Sequence, residues 1–271
     1  MARKARPPIH PQANPNRVAL FITRGQVLTD QGHGAQLDYC YRISGVPIAA
    51  FGSCNVFGTE DNPFTGAQKV EALEIYARAR YGANPFRALT LVDIYADEDA
   101  IEDWPRYVVA TIVDNGLREP TDLVVGSKRD ARHFVAYWDF GSLDREPDFH
   151  DGDWQVWEHP VTGRRIHVLD RRAGALATVS ATHARESLRE RTLEYREIVH
   201  PALWDYYEAT FPAELRIAMR GEQAPDPRTT PIGTTFIRDG DPDRTVWILR
   251  ADRVWRRRDQ SRERMKSQSD L

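Results

Sequence analysis

Residues 37–51, LDYCYRISGVPIAAF, decide how the first half of the chain is read. Leu37 to Ile43 alternates apolar and polar positions, and Val46 to Phe51 is a second strand-type run. Ser44-Gly45 between them is a two-residue turn signal, so the stretch predicts a β-hairpin. In that register Cys40 lies near Ala49, well short of Cys54, and both cysteines are expected as reduced thiols. Upstream, Val18 to Ile22 reads as a strand and Gly25 to Gly34 as a polar, glycine-rich loop.

Downstream the signals alternate. After a loop at Asn55 to Pro63, Thr65 and Gln68 form a capping box for a helix that presents Val70, Leu73 and Ala77 and stops at Tyr81-Gly82. Ala88 to Tyr95 is a strand, Asp97 to Asp103 an acidic loop, and Pro105 opens a helix closed by Asn115-Gly116. Leu123 to Val125 is a short strand and Asp130 to Phe140 a helix ending at Gly141. Trp154 to His159 and Arg165 to Leu169 form a hairpin. Residues 183–199 read as a charged helix with Leu188, Tyr195 and Val199 inward, and Pro201 starts another. Thr234 to Leu249 is a hairpin over Asp239-Gly240, and Arg253 to Lys266 a basic helical tail.

This pattern predicts an α/β protein with a mixed β-sheet covered by helices and a C-terminal helix-plus-hairpin extension. Its expected organisation is an irregular arm over residues 1–16, a core over 17–170, the extension over 171–252 and a basic tail over 253–271. The chain has 271 residues, enough for a sizeable core without metal or disulfide. No apolar run reaches the roughly 18–20 residues of a membrane span, and the start of the chain is polar and proline-rich. A cytoplasmic protein without a membrane partner is expected. A formal net charge of −3 gives no global field for nucleic acid. Lysine supplies only Lys4, Lys69, Lys128 and Lys266 of the 37 cations, so arginine dominates, the residue that forks onto phosphate and carboxylate.

The order of elements through residue 170, together with Asp130-Ala131-Arg132-His133-Phe134-Val135-Ala136-Tyr137-Trp138-Asp139-Phe140-Gly141, resembles the GNAT acyltransferase family. The resemblance implies a transferase acting on an amine, with Tyr137, four residues before Gly141, as the acid that reprotonates a leaving thiolate. Asp93, amid Leu91, Val92 and Ile94, is the expected base. Asp97, Asp99 and His133 are the expected substrate-binding residues for a small-molecule amine or a nucleic-acid base. The family's pyrophosphate loop would fall on Asp97 to Asp103, where five carboxylates stand. They oppose a polyanion, so an acyl-CoA cofactor is disfavoured.

Two other readings stay open. Arg253, Trp255, Arg256, Arg257 and Arg258 combine guanidinium groups with an indole, the makings of a phosphate- and base-binding tail in a non-catalytic nucleic-acid-associated protein of a phage or mobile element. His150, Asp151 and Asp153 offer an imidazole and two carboxylates to a metal-dependent enzyme, although Asp-Gly-Asp is also ordinary turn chemistry. His167, His183 and His200 lack the spacing of a helical zinc site and read as surface or capping residues. Walker, nucleophile-elbow, dinucleotide and Cys-x-x-Cys motifs are missing.

Overall fold

The computed structural model describes residues 9–94, 102–169, 181–230, 232, 234–243 and 245–257. Strand β1 (Asn14–Thr23) leads through a wide turn at Asp30–Gly34 into helix α1 (Ala35–Ile43), then β2 (Ser44–Phe51) and α2 (Gly66–Tyr81). Next come β3 (Arg87–Thr90), α3 (Asp103–Asp114), β4 (Asp122–Val125) and α4 (Lys128–Tyr137). They are followed by β5 (Phe149–Asp151), β6 (Trp154–Glu158) and β7 (Arg165–Leu169). The rest forms α5 (Ala181–Glu190), α6 (Trp204–Thr210) and a second sheet of β8 (Met219–Gly221), β9 (Thr235–Arg238), β10 (Val246–Leu249) and β11 (Trp255–Arg257). The α/β class with a mixed sheet is as the sequence implies.

The main sheet has seven strands in the order β3-β2-β1-β4-β7-β6-β5. β1 pairs with β2 and β4 in parallel, β2 with β3 and β4 with β7 in parallel, and only β6 is reversed, pairing antiparallel with β7 and with β5 at one edge. This corrects two expectations at once. Residues 37–43 are helix, not strand, and no hairpin joins them to β2. Parallel neighbours cannot be linked by a tight turn, so the chain between β1 and β2 must cross back over the sheet, and α1 is that crossover. The GNAT-like topology rested on the hairpin, and the parallel order overturns it.

Both faces of the sheet are covered, with side chains alternating between them. Ala19, Phe21, Ala49, Phe51 and Val124 face the layer of α1, α2 and the α5–α6 region. Val18, Leu20, Ile48, Ala50, Leu123 and Val125 face α3 and α4. A strand buried on both sides must be apolar throughout, which is why VALFI and PIAAF read as unbroken runs. The capping box predicted at Thr65 is present: its hydroxyl accepts from Gln68 N while Gln68 Oε1 accepts from Thr65 N at 2.9 Å. Gly82 closes α2 at φ 76°. Asp38 ties α1 to α2 through Arg80 at 2.8 Å and Tyr81 at 2.6 Å.

Other expectations are shortened or redrawn. β3 stops at Thr90, so Asp93 lies beyond the strand. α3 buries Val108, Val109 and Ile112 and leaves Val113 exposed. Residues 183–199 divide into α5 and a separate turn at Glu194–Glu197, although Leu188, Tyr195 and Val199 are buried as expected. The hairpin at Asp239-Gly240 is β9–β10. Residues 255–257, expected as helix, are a strand paired with β10, and the remainder of the tail lies outside the described residues. Both cysteines are free thiols. No described helix is long and apolar enough to cross a membrane.

At the amino ends of the strands, buried Asp122 accepts from His167 Nε2 at 2.8 Å and from Arg17 Nε at 2.6 Å. Burial pushes the Asp122 carboxyl up, but the hydrogen bonds from His167 and Arg17 outweigh it and hold it below the ordinary carboxylate range. Burial holds His167 below the usual imidazole range despite Asp122. The unfolded chain therefore binds a proton at His167 that the native state refuses. Stability present above about pH 6.5 should fall as pH drops through the native value. Denaturant titrations across that range should show this loss in the natural chain and a flatter acid limb in His167→Gln, which keeps a donor for Asp122 but does not titrate.

Candidate functional site

In an open parallel sheet, ligands bind beyond the carboxyl ends of the strands where the connections diverge to opposite faces. Here that point lies between β1, whose chain leaves toward α1, and β4, whose chain leaves toward α4. A cleft of about 710 Å³ opens there. Its walls come from the ends of β1, β2 and β4 and the segment after β3: Thr23 to Gln26, Gly52 and Ser53, Asp93 and Ile94, and Gly126 to His133 in part.

One wall is cationic. Arg24 follows β1, Arg129 and Arg132 occupy α4, and His33 and His133 stand beside them. Arg24, Arg129 and Arg132 are exposed at the cleft. The tautomer of His33 follows from its partners. Thr29 N can only donate, and it reaches Nδ1 at 3.2 Å, so the ring proton sits on Nε2 and donates to Thr23 Oγ1 at 3.2 Å. His133 accepts at Nε2 from Arg132 Nε at 3.1 Å, and its ring lies 5.8 Å from that of Trp104. Ser127 caps α4 by accepting from Asp130 N, and Gly126, Arg129 and Asp130 at the start of that helix line the cleft, Asp130 adding one carboxylate to this wall.

The opposite wall carries Asp93. Ser53 Oγ donates to its Oδ1 at 2.9 Å, and its own amide donates to Asn55 Oδ1 at 2.8 Å. Ser53 is buried at φ 55°, a left-handed conformation that costs a non-glycine residue about 1 kcal/mol or more and persists only where its surroundings impose it. Asn62 imposes it, donating to Ser53 O at 2.6 Å and also to Val56 O. Beneath the turn, buried Lys69 donates to Gly52 O at 2.9 Å. Gly25, at φ 59°, lies so close to Phe51 that a Cβ would meet its ring at 2.2 Å. Arg185 of α5 bridges to Gln26 and to Asp61 O, clasping the two rim loops from the C-terminal segment.

The residues expected from sequence scatter. Asp93 and His133 line the cleft, but Asp93 is exposed there rather than enclosed by apolar neighbours. Tyr137 is not among the lining residues; its ring packs 6.3 Å from Phe134 with the Arg106 guanidinium 5.8 Å above it. Asp97 and Asp99 lie outside the described residues, as does Arg258. Arg253 is spent on Pro227 O and Thr230 O, Trp255 donates to Pro225 O and packs on Phe236, and Arg256 pairs with Asp252. Arg257 is exposed on β11. Asp151 is engaged by Arg42 and Tyr39, while His150 and Asp153 are exposed about the β5–β6 turn. Among the described residues no three His, Cys, Asp or Glu side chains converge on a metal position. His167 is a buried partner of Asp122, not a surface residue.

Sequence reasoning missed Arg24, His33, Arg129 and Arg132. Arg24 follows the end of β1, His33 lies in the turn that leads into α1, and Arg129 and Arg132 lie in the first turns of α4 after β4. These positions mark a ligand site only once the strands are known to be parallel.

No family model matches the chain, and no curated protein matches it in sequence. Among solved structures it is similar to a bifunctional NMN adenylyltransferase/ADP ribose pyrophosphatase from Francisella tularensis, at 15% identity and a TM-score of 0.47, over 69% of this chain and 44% of that one. The same protein complexed with AMP and a Mn ion gives 14% and 0.41, over 69% and 43%. NadR protein in complex with NAD and AMP-PNP gives 12% and 0.42, over 80% and 51%. The chain spans about half or less of the structures it matches. The amine-acylating reading rested on a GNAT-like order built on a β-hairpin, and the parallel pairing of β1 with β2 removes it.

Burial lowers the Lys69 ammonium to about 8. Between there and the ordinary lysine value near 10.4 the unfolded chain holds a proton the native state does not, so stability should rise with pH across that window. Lys69→Met should abolish this rise and match or exceed the natural chain at neutral pH, as read by thermal denaturation between pH 7 and about 10.

Proposed function

We propose that the chain binds a nucleotide in the cleft between β1 and β4 and transfers a nucleotidyl group between phosphates. The observation that carries this reading is the cationic wall: Arg24, Arg129 and Arg132, with His33 and His133, at the topological switch point of a parallel sheet. Guanidinium forks match phosphate oxygens in geometry and charge, and the start of α4 adds its amide dipole. A cleft of this volume is in the range that encloses a nucleotide.

Transfer between phosphates asks for positioning and charge neutralisation rather than a protein nucleophile. An oxygen of an acceptor phosphate attacks the α-phosphorus, the bond to the β-phosphate oxygen breaks, and pyrophosphate leaves. The arginines hold the charge that gathers on the transferring and leaving groups. His33 stands at the end of β1 with its ring held between Thr29 and Thr23. Asp93, its Oδ1 held by Ser53, suits the hydroxyls of a sugar on the opposite wall. Trp104 offers an aromatic face beside His133.

The test is calorimetric titration with nucleoside triphosphates, followed by assay of pyrophosphate release with phosphomonoester acceptors. Binding should weaken about 10- to 100-fold in Arg129→Gln or Arg132→Gln, the cost of losing a charge-assisted hydrogen bond. Asp93→Asn should affect nucleosides and their phosphates alike but leave inorganic pyrophosphate untouched. Unchanged triphosphate affinity in the arginine variants would refute the assignment.

A further inference from the structure

A second hollow, of about 240 Å³, lies at the other end of β1 and α1, beneath the last turn of α1 and beside the β5–β6 edge. Its floor is the buried pair Asp122 and His167 with Tyr39, whose hydroxyl lies 3.0 Å from His167 Nδ1 and 3.1 Å from Asp151 Oδ2. Around it stand three guanidinium groups from three elements: Arg17 of β1, Arg42 of α1 and Arg165 of β7. We propose that this hollow is a second site, distinct from the cleft, that binds the phosphoryl group of a small metabolite or free phosphate.

Each guanidinium is aimed by one carboxylate and keeps donors in reserve. Arg17 Nε is fixed by Asp122 at 2.6 Å, Arg42 Nη2 by Asp151 at 2.9 Å, and Arg165 Nε by Glu158 at 2.5 Å. Arg42 also lies over the Tyr39 ring at 4.8 Å and Arg165 over the Phe149 ring at 5.3 Å, which restricts both side chains further. Among the described residues, Arg42 Nε and Nη1 and both terminal nitrogens of Arg165 have no protein acceptor, nor has Arg17 Nη1. The two terminal nitrogens of Arg165, Nε and Nη1 of Arg42 and Nη1 of Arg17, carried by three different elements, suit the several acceptor oxygens of a phosphoryl group. Three guanidinium groups line the hollow against two carboxylates, Asp122, which Arg17 balances and His167 hydrogen-bonds, and Asp151, which pairs with Arg42.

The proposal does not depend on the cleft, and its test is built to keep the two apart. Inorganic phosphate and glycerol 3-phosphate are titrated calorimetrically into Arg129→Gln/Arg132→Gln protein, in which the cleft wall is disabled. Binding should persist there and weaken about tenfold or more on adding Arg42→Gln and Arg165→Gln. Asp151→Asn should tighten it, since a like charge is removed. Tighter binding of the ester than of phosphate would identify a phosphorylated metabolite, and the reverse would identify the free ion. Absence of binding up to about 10 mM in the cleft-disabled protein, or affinity unmoved by the Arg42 and Arg165 substitutions, would overturn the proposal. Should those variants fail to fold, the imidazole nitrogen resonances of His167 in the natural chain decide the matter. They should move on addition of phosphate, and their invariance would refute the site.

Discussion

The parallel pairing of β1 with β2 governs the rest of the structure. Six consecutive register pairs reach from Val18 and its partner Val46 to the matched ends at Thr23 and Phe51, with one irregularity between them and the pair Asn14–Ser44. Two strands running the same way need a crossover, and the chain has 20 residues between them, Arg24 to Ile43, in which to build one. That requirement makes α1 a helix and sends it to one face. The route through β4 to α4 covers the other. The cleft is the gap left where these two routes part.

The same constraint divides the polar residues between the two ends of the sheet. At the carboxyl ends, loops need not return quickly, so Ser53, Asn62 and Lys69 can brace a left-handed turn and Ser53 can hold Asp93 outward. At the amino ends the strands begin beneath α1, and fully buried Asp122 is made tolerable by hydrogen bonds from Arg17, His167 and the Thr121 hydroxyl. Each arrangement borders a hollow with arginines, Arg24, Arg129 and Arg132 at one end and Arg17, Arg42 and Arg165 at the other.

Parts of this were legible in the chain. Thr65 and Gln68 announced α2 because a capping box acts within four residues, and Asn115-Gly116 and Tyr81-Gly82 announced helix ends for the same local reason. The β6–β7 and β9–β10 hairpins were readable from their turns. LDYCYRI was not. Leu37, Tyr39, Tyr41 and Ile43 alternate as a strand would, yet in the helix the buried residues are Gln36, Leu37, Tyr39 and Cys40, a face containing a polar amide. The clue available was the other segment: VALFI and PIAAF are apolar on both faces, which suits central parallel strands better than a hairpin with a wet side. The Tyr137–Gly141 spacing misled because a tyrosine near a helix end is common, and here it packs beside Arg106.

The sequence by itself determined the α/β class, the caps, most helices and the closing hairpins, because these depend on contacts within a few residues. Only the tertiary structure decided strand direction and order, and with them which side chains share a space. Arg24 and Arg129 are about a hundred positions apart, as are Asp122 and Arg17. What unites each pair is the register of β1 against β4, an association between distant segments that burial of both faces stabilises and no local pattern encodes.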